Sequence, residues 1–301
     1  MYKLISISFF LIAITILYTA CEKTITVTPP PYDGKVSIQS MLEPDSIPVV
    51  YFNKTVPYFD PKISFADLVI RNAEIKISDG TTVDLLKLDS VYNRIYCQYD
   101  YYYKGSIPIQ LNKTYTLSVT SGADRHTAVT STSYLSAVTI DSASYTSVFN
   151  DLYGEHEGVI TYFKDAASQP NYYRYEMDRY VDTATKKAEA KIASLCLGRD
   201  SVAVQELGRS VYSDAGQDGK QFRIVIEPAY SHQPGTRGLI RIQAIDKNAF
   251  DFFDQLDKQK LAQFNPFVEP VFLRNGQFGS KAIGYFSAMV KSNPLVYIYP
   301  E

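Results

Sequence analysis

The 301-residue chain has no tryptophan, only three cysteines and three histidines, and no surplus of basic charge. Each shortage narrows the range of functions. Lys and Arg number 30 against 32 Asp and Glu, a formal net charge of −2, so the basic patch that nucleic-acid binding requires is missing and no nucleic-acid partner is expected. The histidines, His126, His156 and His232, form no H-E-x-x-H pair. His156 stands between Glu155 and Glu157, but neighbours on a strand point to opposite faces, so this trio does not converge and no metal site is expected there. There is no nucleotide-binding glycine loop and no G-x-S-x-G elbow. No catalytic residue, metal or cofactor is assigned on these grounds, and no internal repeat of fixed period is present.

Long apolar runs are also scarce, and the one at the start reads as a leader. Lys3 supplies the positive region, Ile5 to Tyr18 the apolar region, and Thr19-Ala20 the small residues before Cys21. This order is that of a secretory signal that is removed rather than folded. The run is shorter than the roughly 18 to 20 residues of a spanning helix. A Cys directly after the small pair makes a lipobox, although Tyr18 stands where an aliphatic residue is usual. Cleavage before Cys21 and acylation at Cys21 are therefore expected. The 301 residues less the 20 before Cys21 leave 281, a length that suggests two domains. Export makes a disulfide possible, but Cys97 and Cys196 lie far apart in the sequence and fall in different expected domains, so two separate thiols are expected.

What is abundant is tyrosine, 25 residues, with 16 Phe and 46% hydrophobic residues overall. Tyrosine and β-branched residues suit a pleated, half-buried surface. After the leader, residues 21–34 read as a tether, with Pro29-Pro30-Pro31 favouring an extended polyproline form. Residues 35–150 alternate with a period of two: Val36, Ile38 and Ser40; Ala73, Ile75 and Ile77; Tyr115, Leu117 and Val119. Asp79-Gly80 marks a hairpin turn after the second of these. This is the pattern of an immunoglobulin-like β-sandwich. A boundary is placed near Asp151 to Glu157. Residues 151–301 read as a second β-rich domain, with Tyr173, Tyr175 and Met177, then Phe222, Ile224 and Ile226, then Ile240, Ile242 and Ala244 alternating. Ala184 to Ala193 is open to a helical reading. One amphipathic helix is expected at about 247–264, capped by Asp246 and ended by Asn265-Pro266. Its stripe Phe250, Phe253, Leu256, Leu261 and Phe264 is expected to face the core. The fold class is thus mainly β.

Three stretches invite a functional reading. Asp214 to Gly219 holds two Asp and two Gly, but Gly216 stands at the third position, where a calcium loop needs an oxygen ligand, so a hairpin turn is favoured. Tyr92, Tyr96, Tyr99, Tyr101, Tyr102 and Tyr103 are dense. Tyr99, Tyr101 and Tyr103 share one strand face and are the candidate interface residues. Paired carboxylates assembled by the fold, as in glycosidases, are the third possibility, and they have no signature in sequence.

The order of landmarks resembles that of domain-of-unknown-function family 4249, lipoproteins of Bacteroidota outer membranes. The matching stretches are Cys21, Lys35–Met41, Asn72–Ile77 with Asp79-Gly80, Lys113–Val119, Asn171–Arg174, Tyr212–Asp214 with Asp218–Lys220, the Phe-rich helix with Pro266-Phe267, Phe278-Gly279, and Gly284–Phe286. The resemblance implies an N-terminal β-sandwich, a second β-rich domain and an outer-membrane location, with the lipid at Cys21 as anchor. It also implies a TonB-dependent transporter as possible partner, and it supplies no catalytic residues. A binding or accessory lipoprotein is the expected function. The alternative is a surface hydrolase acting on glycan or peptide through paired carboxylates.

Overall fold

Alternation along the chain becomes strands with one face in a core. In the computed structural model, β1 (Val36–Leu42) buries Ile38, Ser40 and Leu42 while Ser37, Gln39 and Met41 stay partly exposed. The described residues are 32, 34–57, 64–151, 154–182, 196, 201–207, 211–227, 234–264, 272–274 and 276–300. The leader, Cys21, the polyproline tether, Ala184 to Ala193, His232 and Asn265-Pro266 lie outside them.

After β1 come β2 (Val49–Lys54), a short helix α1 (Phe65–Leu68), β3 (Glu74–Ser78), β4 (Val83–Asn93), β5 (Gln98–Lys104), β6 (Thr114–Ser121) and β7 (Asp124–Ser131). Next are β8 (Ile140–Asp151), β9 (Gly154–Lys164), β10 (Tyr172–Asp182), β11 (Ser201–Leu207), β12 (Tyr212–Ser213), β13 (Gln221–Ile226) and β14 (Arg237–Ile245). The helix α2 (Lys247–Phe264), β15 (Ala282–Lys291) and β16 (Leu295–Ile298) complete the described elements. The protein is mainly β, as its alternation requires.

One hydrogen-bonded path runs β11-β10-β14-β15-β1-β2-β5-β4-β3-β6-β7, with β12 beside β10 and β16 beside β14. It joins through β5 what a sandwich would divide into two sheets. The N-terminal core is built from the part of this path that runs from β15 to β7, with Ile38, Phe52, Ile75, Tyr103, Leu117 and Phe286 among its members. The turn at Asp79-Gly80 forms as expected. Gly80 has φ +87°, and Asp79 Oδ1 accepts from the Thr81 and Thr82 amides.

The second core lies between β10 and β14 on one side and a three-stranded sheet, β13-β9-β8, on the other. Phe163 meets Tyr173 and Phe222 at ring distances of 4.9 and 5.5 Å. The expected boundary near Asp151 to Glu157 falls at the β8–β9 hairpin. Gly34–Glu301 forms one compact unit, because C-terminal β15 pairs in parallel with N-terminal β1 and places Ala282, Phe286 and Ala288 in the first core. Gly284 is required at this seam: a Cβ there would lie 1.8 Å from the Ile38 carbonyl oxygen, and its φ is +126°.

α2 packs Phe250 and Phe253 of its stripe on the sheet, as its periodicity implies. Phe250 stacks on Tyr172 at 4.7 Å, and Phe252 and Phe253 meet Tyr285 at 5.0 and 5.2 Å. Arg174 lies 4.0 Å over the Phe253 ring. Asp246 caps the helix, its Oδ1 accepting from the Ala249 amide at 3.0 Å.

The expectation of two separate thiols is overturned. Cys97 and Cys196 form a disulfide across 99 residues, with their Cα atoms 5.6 Å apart. The β4–β5 hairpin carries its turn, Arg94–Cys97, beyond the first core to the connection between β10 and β11. Distance along the chain said nothing about this approach in space.

Candidate functional site

β7 and the segment after it face the β14–α2 junction across a cleft of about 490 Å³. Val129, Leu135, Pro170 and Ile245 give it apolar walls, and the rings of Tyr134 and Tyr172 flank them. This is the size and mixed lining of a small-ligand site. Tyr134 is 75% exposed. The charged side chains at the cleft are Asp246 and Lys247, and both have partners within the protein. Asp246 accepts from the Ala249 amide, the Thr130 hydroxyl and the Ala288 amide. Lys247 Nζ is paired with Asp251 at 2.5 Å. The site therefore offers shape, apolar surface and neutral hydrogen-bonding groups.

Asn171 links the cleft to a buried acidic cluster. Its backbone amide donates to Asp214 Oδ2 at 2.9 Å. Asp214, Asp165 and Asp218 bring carboxylate oxygens within 4.8 Å of one another, the first two buried and the third exposed. Oxygen donors of this kind suit a hard divalent cation. Much of their capacity is already spent within the protein. Asp165 accepts from the Tyr173 hydroxyl and from the Gly219 amide, and Asp218 accepts from the Ser168 amide. Burial, then the bond to Asp165, pushes the Tyr173 hydroxyl well above its ordinary pKa. The cluster thus ties the β9–β10 connection to the turn before β13. Residues 215–219 form that turn, but it is not the expected hairpin, because β12 pairs with β10 and β13 with β9. Sequence reasoning missed Asp165, and no signal marks it, because it lies 49 positions before Asp214.

The tyrosine face is graded. Tyr99 is exposed, Tyr101 is half-buried beneath Arg71 at 4.1 Å, and Tyr103 is 2% exposed. The Tyr103 hydroxyl donates to the Ile70 carbonyl at 2.8 Å. The three share one strand face, but the hairpin runs out of the core, so Tyr103 is a core residue while Tyr99 meets Tyr92 at 5.2 Å on the surface. His126 is a buried residue of β7. His156 lies beside Phe149 on β9, and Glu157 accepts from the Tyr145 hydroxyl. Neither histidine joins a group of three or more metal-ligating residues among those described.

A charged network sits where the two cores meet. Glu176, 2% exposed, accepts from Arg241 at 3.2 Å, Gln243 at 2.9 Å and Lys291 at 2.9 Å. Lys291 also pairs with Glu43, directly after β1, and Arg241 with Asp178. Burial alone would lower the Lys291 pKa, but the bonds to Glu176 and Glu43 outweigh it and raise the value. Each charge in this network meets at least one of opposite sign, so the network reads as a joint in the fold.

Other cavities hold carboxylates that are likewise bound. Asp84 accepts from the Ser106 amide and hydroxyl and the Ile107 amide, and Asp79 pairs with Lys113 at 2.8 Å.

No curated protein matches the chain. A family model described as "Domain of unknown function (DUF4249)" matches residues 22–293. Because that match extends over nearly all of the chain, the chain belongs to the DUF4249 family.

Proposed function

We propose that the protein is an outer-membrane lipoprotein, anchored through Cys21, that captures a ligand in the cleft beside β7 and serves a TonB-dependent transporter as an accessory subunit. The observation that carries the binding role is the cleft itself, about 490 Å³ between the two cores, with its charged side chains already engaged in the fold. The order of charged, apolar and small residues before Cys21 supports the anchor. The Cys97–Cys196 disulfide supports an oxidising, extracytoplasmic setting. A hydrolase would need two carboxylates opposed across a cleft. The carboxylates lining the described cavities, Asp79, Asp84, Asp246 and Asp251, are each bound to partners within the protein, which favours binding over hydrolysis.

Membrane fractionation of wild type and Cys21→Ser tests the anchor. Wild type is expected in the outer-membrane fraction. The variant is expected to lose it, running as an unacylated form. A wild-type protein found in the soluble periplasm, or a variant fractionating unchanged, would contradict the reading.

A further inference from the structure

We propose that the cleft between β7 and the β14–α2 junction takes an uncharged ligand with an apolar, ring-sized body, oriented by the side-chain amides of Gln169 and Asn248. This rests on the binding role proposed above and names its ligand class. Three observations carry it. First, the walls are largely apolar, with Val129, Leu135, Pro170 and Ile245 lining the space together with Tyr134 and Tyr172. Burying an apolar body there removes surface from water on both partners.

Second, the cleft offers a charged ligand little net attraction. The Asp246 carboxylate accepts from the Ala249 amide, the Thr130 hydroxyl and the Ala288 amide, and Lys247 forms an exposed pair with Asp251. An anion would meet the Asp246 carboxylate and compete with Asp251 for Lys247, and a cation would compete with the three donors already on Asp246, so the hydration either gives up is poorly recovered. Third, neutral hydrogen-bonding groups remain. Gln169 donates through Nε2 to the Tyr134 carbonyl and to Asn171 Oδ1, at 3.1 Å each, which fixes its amide and leaves Oε1 without a partner among the described residues. The Asn248 amide, at the start of α2, likewise has no partner among them. One acceptor and one amide in the lining of an apolar cleft can orient a ligand that carries one or two neutral polar groups.

Two fluorescent probes with the same aromatic skeleton separate the charge classes: uncharged N-phenyl-1-naphthylamine and anionic 8-anilinonaphthalene-1-sulfonate. Titration of the mature protein is expected to show one-to-one binding of the neutral probe, with the sulfonate bound at least about tenfold more weakly. Tyr134→Ala is expected to weaken the neutral probe several-fold. Tyr134→Lys, which places a cation at this exposed position, is expected to strengthen sulfonate binding and close the gap. A gain of that kind cannot arise from misfolding alone if far-UV circular dichroism and the melting curve are unchanged. Equal affinity for the two probes in wild type, or neutral-probe binding indifferent to both Tyr134 variants, would overturn the proposal. Neutral-probe binding that obeys these variants in a protein found soluble would uphold the ligand class and remove the anchored role.

Discussion

Asp257 couples protonation to folding. It lies half-buried on α2, and burial pushes its carboxyl up from 3.8 to about 6, with Asp254 adding to the rise and Lys260 and Arg174 opposing it. The folded pKa stands above the unfolded one, so the native state holds this proton more tightly. The cost of burying the ionised carboxylate is therefore fully present above about pH 6 and is relieved as pH falls toward 3.8. Asp257→Asn is expected to raise Tm at pH 7.5 and to give little gain at pH 4. Equal gains at both pH values would contradict this assignment of the carboxyl. Glu176 shows the opposite arrangement, a carboxylate 2% exposed but met by Arg241, Gln243 and Lys291. Burial raises the cost of charge at both positions, and the partners decide whether that cost is met.

At the scale of elements, the disulfide changes how the β4–β5 hairpin is understood. Its turn leaves the first core and is held at Cys196, where the Tyr92 hydroxyl also donates to the sulfur at 3.1 Å. The exposed rings of Tyr92 and Tyr99 are thus displayed on a hairpin fixed at both ends. Intact mass spectrometry of the unreduced mature protein, denatured with a thiol-alkylating reagent, is expected to show no alkylation at Cys97 or Cys196. Prior reduction is expected to add two labels. Labelling of either cysteine without reduction would contradict the pairing. The strands themselves were legible in the sequence. Ile75 and Ile77 alternate with polar residues and are buried, and Phe250 and Phe253 follow helical spacing and pack on Tyr172 and Tyr285. Local periodicity reports which face is apolar. The parallel pairing of β1 with β15, the approach of Cys97 to Cys196 and the convergence of Asp165 on Asp214 join residues far apart in the chain, and no local pattern encodes them. The cleft shares this origin: Tyr134 and Gln169 come from two separate connections and Asn248 from the first turn of α2, and each alone reads as an ordinary surface residue.

For the whole molecule, the two cores do not make two independent bodies. β15 runs from the first core to the β10–β14 sheet, the Glu43–Lys291–Glu176 charges bridge the same seam, and Asp246 joins β7 to α2 and β15. The cleft lies on this joint, so its walls are held by both cores at once. A binding site built between two braced layers suits capture without large rearrangement. We propose that such a body works at the membrane beside a transporter. Affinity purification of the tagged protein from gently solubilised outer membrane, with partners identified by mass spectrometry, tests this. One stoichiometric TonB-dependent barrel is expected to be recovered with the wild type and lost in Cys21→Ser. Recovery of the protein alone from wild-type membranes would contradict it.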